Sequence, residues 1–141
     1  MQLLENLLTA QRASQDVLLM GSSLGGWYAT VLAERHDVRA VLLNPAIRPH
    51  RLLEVALGEQ TNYSNGQRYV VTREHLDELA SLDLSILQHP ERLLVLLETG
   101  DQTLDYREAE RFYAASRLII EPGGNHACQS FLTHLPTLLS F

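Results

Sequence analysis

The sequence predicts an α/β protein: a mainly parallel sheet with helices on both faces. Short continuous apolar runs recur four times, as in Val17-Leu18-Leu19-Met20 and Ala40-Val41-Leu42-Leu43. Runs of this kind suit strands buried on both faces. Segments of helical periodicity alternate with them, the order that builds a parallel sheet. The chain has 141 residues, 45% of them hydrophobic, which is enough for one domain, 1–141, with a real core.

Each element can be justified in turn. Leu3, Leu4, Leu7 and Leu8 recur at helical spacing and predict a helix over 2–10. Residues 16–20 are the first strand, ending at Gly21. A helix over 25–35 follows, with Ala29, Leu32 and Ala33 on one face. The second strand, 39–43, stops at Asn44-Pro45. A short helix is expected over 51–57, then a polar, turn-rich stretch over 58–69 with Asn65-Gly66 as a hairpin-type turn. A short strand over 69–72 and a helix over 73–80 come next. The third strand is 92–97, followed by a helix over 105–115. The fourth, 118–120, is closed by Pro122-Gly123-Gly124, and the last helix covers 127–141 with an interruption at Pro136. Residues 58–90 break the alternation. They are too long for a plain connection and are expected to form a lid-like insertion.

Composition removes several function classes. There are 11 basic residues, all arginine and scattered, against 17 acidic ones, for a net charge of −6. A phosphate backbone wants a basic face, so no nucleic-acid partner is expected. Cys128 is the one cysteine, which excludes an internal disulfide and a four-cysteine zinc site. The six histidines lack the pairing a zinc site would want, and no metal or organic cofactor is implied. The first eight residues have no basic start and no continuous apolar stretch, so no signal peptide is read there. No run approaches bilayer length. The cytoplasm is the expected compartment.

The chemistry begins at Gly21-Ser22-Ser23-Leu24-Gly25, which matches G-x-S-x-G. The pattern is common by chance, but here a buried strand precedes it and a helix follows. That is the strand–turn–helix setting of a nucleophile elbow. The elbow strains the serine backbone, and Gly21 and Gly25 are expected to remove side chains that would collide around it. Ser23 is the candidate nucleophile. Ser22 occupies the x position and is the weaker candidate. The Leu24 N–H is expected to point to the same place as one oxyanion donor.

A serine hydroxyl needs a base. His126 follows the fourth strand in a flexible Gly-Gly loop, whereas His36, His50, His75, His89 and His134 sit on helices or polar loops and read as surface residues. The acid that orients the imidazole should follow the third strand. Asp101 lies in the turn itself. Asp105 opens the next helix, where it would serve well as an N-cap. Glu98, at the strand end, is a more distant third. Ser23, Asp101 and His126 stand in the α/β-hydrolase chain order, each from a different strand end.

Four motifs then resemble one family. Gly21–Thr30, Asn44-Pro45-Ala46-Ile47-Arg48-Pro49, Thr99-Gly100-Asp101-Gln102-Thr103-Leu104-Asp105-Tyr106-Arg107 and Gly123-Gly124-Asn125-His126-Ala127 are similar, in that order, to segments of the YqiA/YcfP-like esterases. The resemblance implies a small cytoplasmic α/β-hydrolase that cleaves carboxylic esters or acyl thioesters, with Ser23, Asp101 and His126 as nucleophile, acid and base. Trp27 stands where a tyrosine is usual and is a candidate pocket residue. Arg48, just past the second strand, is a candidate for meeting an acidic substrate group, against a structural salt bridge. Cys128 stands where an aromatic residue is expected.

The resemblance also implies two leading strands and a His-Gly-Phe-like loop carrying the second oxyanion donor, ahead of the first helix seen here. The chain is therefore expected to be a fragment or to start at a mis-assigned Met1. The first strand would then expose an apolar edge that favours self-association. Two other readings share these residues: a catalytically impaired remnant that binds a ligand or partner, and a lactone or amide hydrolase.

Overall fold

A computed structural model of the protein describes residues 1–62 and 64–141. The chain divides into two compact units, Met1–Ile47 with Ile86–Phe141, and Arg48–Ser85.

The first unit is a four-stranded sheet in the order β1-β2-β5-β6, with β1 Leu18–Ser22, β2 Arg39–Leu43, β5 Leu93–Glu98 and β6 Arg117–Glu121. Every pairing is parallel, with Leu18 opposite Arg39, Ala40 opposite Leu93 and Leu94 opposite Arg117. The expected strands are all present. Because all four run the same way, their C-terminal ends lie along one edge of the sheet.

Alternation along the two central strands sorts the core into two faces. Ala40 and Leu42 of β2 and Leu93, Val95 and Leu97 of β5 pack with Ala29 and Ala33 of helix α2 (Leu24–Arg35) and with Ala109 and Tyr113, from α5 (Tyr106–Phe112) and its C-terminus. Val41, Leu43, Leu94 and Leu96 point the other way, against Cys128 and Leu138 of α6 (Phe131–Leu139). Helix α1 (Gln2–Arg12) buries Leu8 against Leu32 and Val38. Leu42 has no solvent exposure. Leu42→Ala is expected to cost about 2–5 kcal/mol, from the lost transfer energy and the cavity left behind. Urea unfolding of the variant measures this, and a loss below about 1 kcal/mol would mean that the core re-collapses around the gap.

The second unit is small. It holds α3 (Pro49–Leu52), a 3₁₀ turn over Leu53–Ala56, strands β3 (Gly58–Thr61) and β4 (Arg68–Val71), and α4 (Arg73–Ser81). β3 and β4 form an antiparallel hairpin, with Gly58 opposite Val71. This unit, Arg48–Ser85, overlaps the stretch 58–90 that breaks the strand–helix alternation, but begins ten residues earlier and ends five residues sooner. Strand β3 is not foreseen by the sequence, because Gly58-Glu59-Gln60-Thr61 has no apolar alternation and no fully buried residue. Helix α4 opens with a capping box, in which the Thr72 N–H donates to His75 Nδ1 at 3.1 Å. His75 therefore has a local structural role that its sequence position does not advertise.

Candidate active site

The strand ends place the candidate residues. β1 runs into Ser23, whose backbone sits at φ 53°, ψ −122°, far from the regions open to ordinary residues. The surroundings hold it there. The Ser23 N–H donates to the Leu43 carbonyl at 3.0 Å, and the Ser23 carbonyl accepts from Gly26 at 3.0 Å and Ala46 at 3.0 Å.

The glycines around the turn divide unequally. A Cβ on Gly21 would lie 2.2 Å from the Gly25 carbonyl oxygen, and one on Gly26 would lie 2.8 Å from Pro45 Cβ. A Cβ on Gly25 meets nothing within 4 Å. The expectation that both motif glycines relieve collisions holds for Gly21 and is corrected for Gly25. What Gly21 must avoid is the backbone of the residue 25 turn, and Gly26 has the second steric requirement.

His126 lies beyond β6. Its Nε2 is 3.0 Å from Ser23 Oγ, and its Nδ1 is 2.8 Å from Asp101 Oδ2. Asp101 lies beyond β5 with its side chain 1% exposed. Its other oxygen, Oδ1, accepts the N–H groups of Thr103 at 2.8 Å and Leu104 at 2.9 Å. The carboxylate is thus fixed by two amides on one oxygen and presents the second to the imidazole. Three residues separated by up to 103 positions form one continuous chain of hydrogen bonds.

The rival carboxylates are engaged elsewhere. Asp105 caps α5, accepting from the Arg107 N–H at 3.0 Å. Glu98 is fully buried and accepts from the Asn125 and Ser130 amides. Burial pushes the Glu98 carboxyl up, but hydrogen bonds from Ser130, Asn125 and Gln129 outweigh it and hold the group below the ordinary carboxylate range. Burial, with the Glu98 charge added, pushes the neighbouring Cys128 thiol up to about 11, so it stays protonated at neutral pH.

The remaining candidates fall as follows. Leu24 is the first residue of α2, and its N–H has no acceptor within the helix. Trp27 is 0% exposed and packs against Phe112 with ring centroids 5.8 Å apart. It is part of the packing behind the elbow and has no free surface to offer a substrate. Arg48 caps α3 in a left-handed conformation, φ 49°, with its Nε 3.7 Å from an Asp83 carboxylate oxygen. That is the salt bridge set against a substrate contact in the sequence reading. Of the histidines read as surface residues, His134 is tied to Glu121 at 2.7 Å and is only 18% exposed. Sequence reasoning missed Asn44 altogether as a site-supporting residue. Its one local signal is the Asn-Pro that stops β2.

Residues 1–141 match the model of the Uncharacterised protein family (UPF0227). The chain belongs to the UPF0227 family. A UPF0227 protein from Klebsiella pneumoniae subsp. pneumoniae is 26% identical over 132 residues, covering 92% of this chain and 66% of the relative. UPF0227 protein YcfP from Salmonella arizonae is 25% identical over 127 residues, covering 88% of this chain and 63% of the relative. This UPF0227 chain therefore spans a little under two thirds of the length of the curated relatives it matches.

Among solved structures, Est1E from Butyrivibrio proteoclasticus superposes with a TM-score of 0.68 at 16% identity, covering 96% of this chain and 65% of that one. A putative hydrolase from Agrobacterium vitis S4 gives 0.66 at 17% identity, covering 93% and 64%. Mouse alpha/beta hydrolase domain-containing protein 10 gives 0.56 at 18%, covering 90% and 60%. At these identities the likeness is one of fold, and the fold is that of the α/β hydrolases, as the sequence predicts. Among the described residues no helix is long and apolar enough to cross a membrane.

Proposed function

We propose that this UPF0227 chain carries the catalytic residues of a serine hydrolase that cleaves carboxylic esters or acyl thioesters. The observation that carries the reading is the strained Ser23, with its Oγ 3.0 Å from an imidazole whose far nitrogen is 2.8 Å from a buried carboxylate. In this reading Ser23 Oγ attacks the acyl carbonyl carbon while His126 Nε2 accepts its proton. Asp101 holds the ring with its Nδ1 protonated and stabilises the imidazolium that forms. The Leu24 N–H donates to the developing oxyanion. His126 then returns the proton to the departing alcohol or thiol. A water deprotonated by His126 attacks the acyl-enzyme, releases the acid and regenerates Ser23.

A fluorophosphonate probe tests the nucleophile without knowledge of the substrate. The folded chain is expected to be labelled once, at Ser23, and Ser23→Ala is expected to remain unlabelled. Equal labelling of the two, or no labelling of the folded wild type, sinks the proposal. Hydrolysis of short p-nitrophenyl esters and of acyl thioesters then separates the two substrate classes.

A further inference from the structure

Glu98 is a carboxylate without solvent exposure, yet among the described residues no ion pair is found for it, and its bonds to Asn125 and Ser130 are made to backbone amides. A charge so placed is costly unless hydrogen bonds hold it. Asn125 N–H donates to Oε2 at 2.6 Å, and Ser130 N–H donates to Oε1 at 2.6 Å. These amides bracket His126 in the chain. Gly124 passes directly over the carboxylate at φ 71°, and a Cβ there would stand 1.9 Å from Glu98 Oε2.

Asn44 grips the same loop from β2. Its Nδ2 donates to the carbonyls of Asn125 at 3.1 Å and His126 at 3.4 Å, while its Oδ1 accepts the Glu98 N–H at 2.9 Å. Asn44 is itself held at φ 40°, with its N–H donating to the Leu96 carbonyl at 2.9 Å.

We infer that Glu98 and Asn44 are positioning residues, which hold the loop over 124–130 so that the His126 imidazole reaches Asp101 and Ser23 together. His126 sits on a loop, and the two hydrogen bonds to its ring do not anchor its backbone. Glu98 ends the strand that also delivers Asp101, so one strand end fixes both the acid and the carrier of the base. An acceptor-only group is needed, because the N–H groups that converge on it, those of Asn125 and Ser130 among them, are all donors. A glutamine of the same shape would turn its NH₂ on one of them. Displacement of a catalytic group by about 1 Å costs on the order of 10² in rate.

The inference rests on the serine hydrolase reading, and its test keeps the two apart. In wild-type protein the Asn125 and Ser130 amides are expected to exchange with solvent slowly, and exchange at the rate of open turn amides overturns the clamp. In Glu98→Gln and in Asn44→Ala, the downfield His126 Nδ1–H resonance is expected to broaden or vanish. Fluorophosphonate labelling of Ser23 should slow at least tenfold while the amide spectrum outside 121–131 stays folded. A folded Glu98→Gln with the wild-type imidazole resonance and labelling rate overturns the assignment. If the variants do not fold, the wild-type exchange rates decide. If wild-type Ser23 is never labelled, the hydrolase reading falls, while exchange and the imidazole resonance still decide the role of Glu98.

Discussion

Asp101→Asn is expected to leave the fold standing and to cut Ser23 reactivity and ester turnover by about 10⁴. The reason lies in how the carboxylate is held. Oδ1 already accepts two amides, from Thr103 and Leu104, so an asparagine keeps its carbonyl oxygen there. Its NH₂ then replaces Oδ2, 2.8 Å from His126 Nδ1. Facing a donor, Nδ1 must become the acceptor, and the ring carries its proton on Nε2. That proton points at Ser23 Oγ, and a protonated Nε2 cannot take the serine proton. The defect is one of tautomer, with little loss of packing. Thermal unfolding of Asp101→Asn should therefore stay close to wild type while the labelling rate collapses. A variant within tenfold of wild-type reactivity would show that another group orients His126. Asp105→Asn is the matched control, since asparagine caps a helix as well as aspartate does and reactivity should be nearly unchanged.

That Asp101 and not Asp105 meets His126 is legible from position alone, because a residue in the turn after a strand faces the sheet edge and one at a helix start faces its own amides. The four strands are legible for a related reason. Parallel strands covered on both faces need continuous apolar runs, and few other elements do. Strand β3 escapes because its own residues, Gly58-Glu59-Gln60-Thr61, carry no apolar side chain and none is fully buried, whereas its partner β4 holds Tyr69, Val70 and Val71. The last helix starts at Phe131 and not at 127, because the amides of Asn125 and Ser130 are taken by Glu98, a residue 27 and 32 positions away. Cys128 is turned to φ 60° within that loop. Partners so distant leave no periodicity for a local reading to find. The same distance hides Asn44, which holds carbonyls 81 and 82 positions on. That Ser23, Asp101 and His126 come together is thus legible from motif and chain order, whereas the contacts of Glu98 and Asn44 with the loop that carries His126 are visible only once the sheet brings its strand ends together.

The two glycines of the pentapeptide are expected to behave oppositely when each is changed to alanine. In Gly21→Ala the new methyl would sit 2.2 Å from Gly25 O, 2.5 Å from Gly25 C and 2.8 Å from Gly26 N. All three are backbone atoms, so no side-chain rotation relieves the clash, and the turn itself must open. Overpacking of this kind costs about 1–3 kcal/mol, and a rigid backbone obstacle places this case at the upper end. Opening the turn also moves Ser23 off the point where the Leu43, Gly26 and Ala46 backbone groups hold it, with a loss of about 10² or more in labelling rate. Gly25→Ala adds a methyl in open space inside α2. There alanine narrows the unfolded ensemble without strain in the fold and is expected to stabilise by about 0.4–1 kcal/mol. Thermal unfolding and probe labelling of both variants give the comparison directly. Equal destabilisation by the two would mean that the turn is not shaped by the contact between Gly21 and the Gly25 carbonyl. A stable Gly25→Ala beside a crippled Gly21→Ala would show that one glycine of the motif answers a steric demand and the other does not.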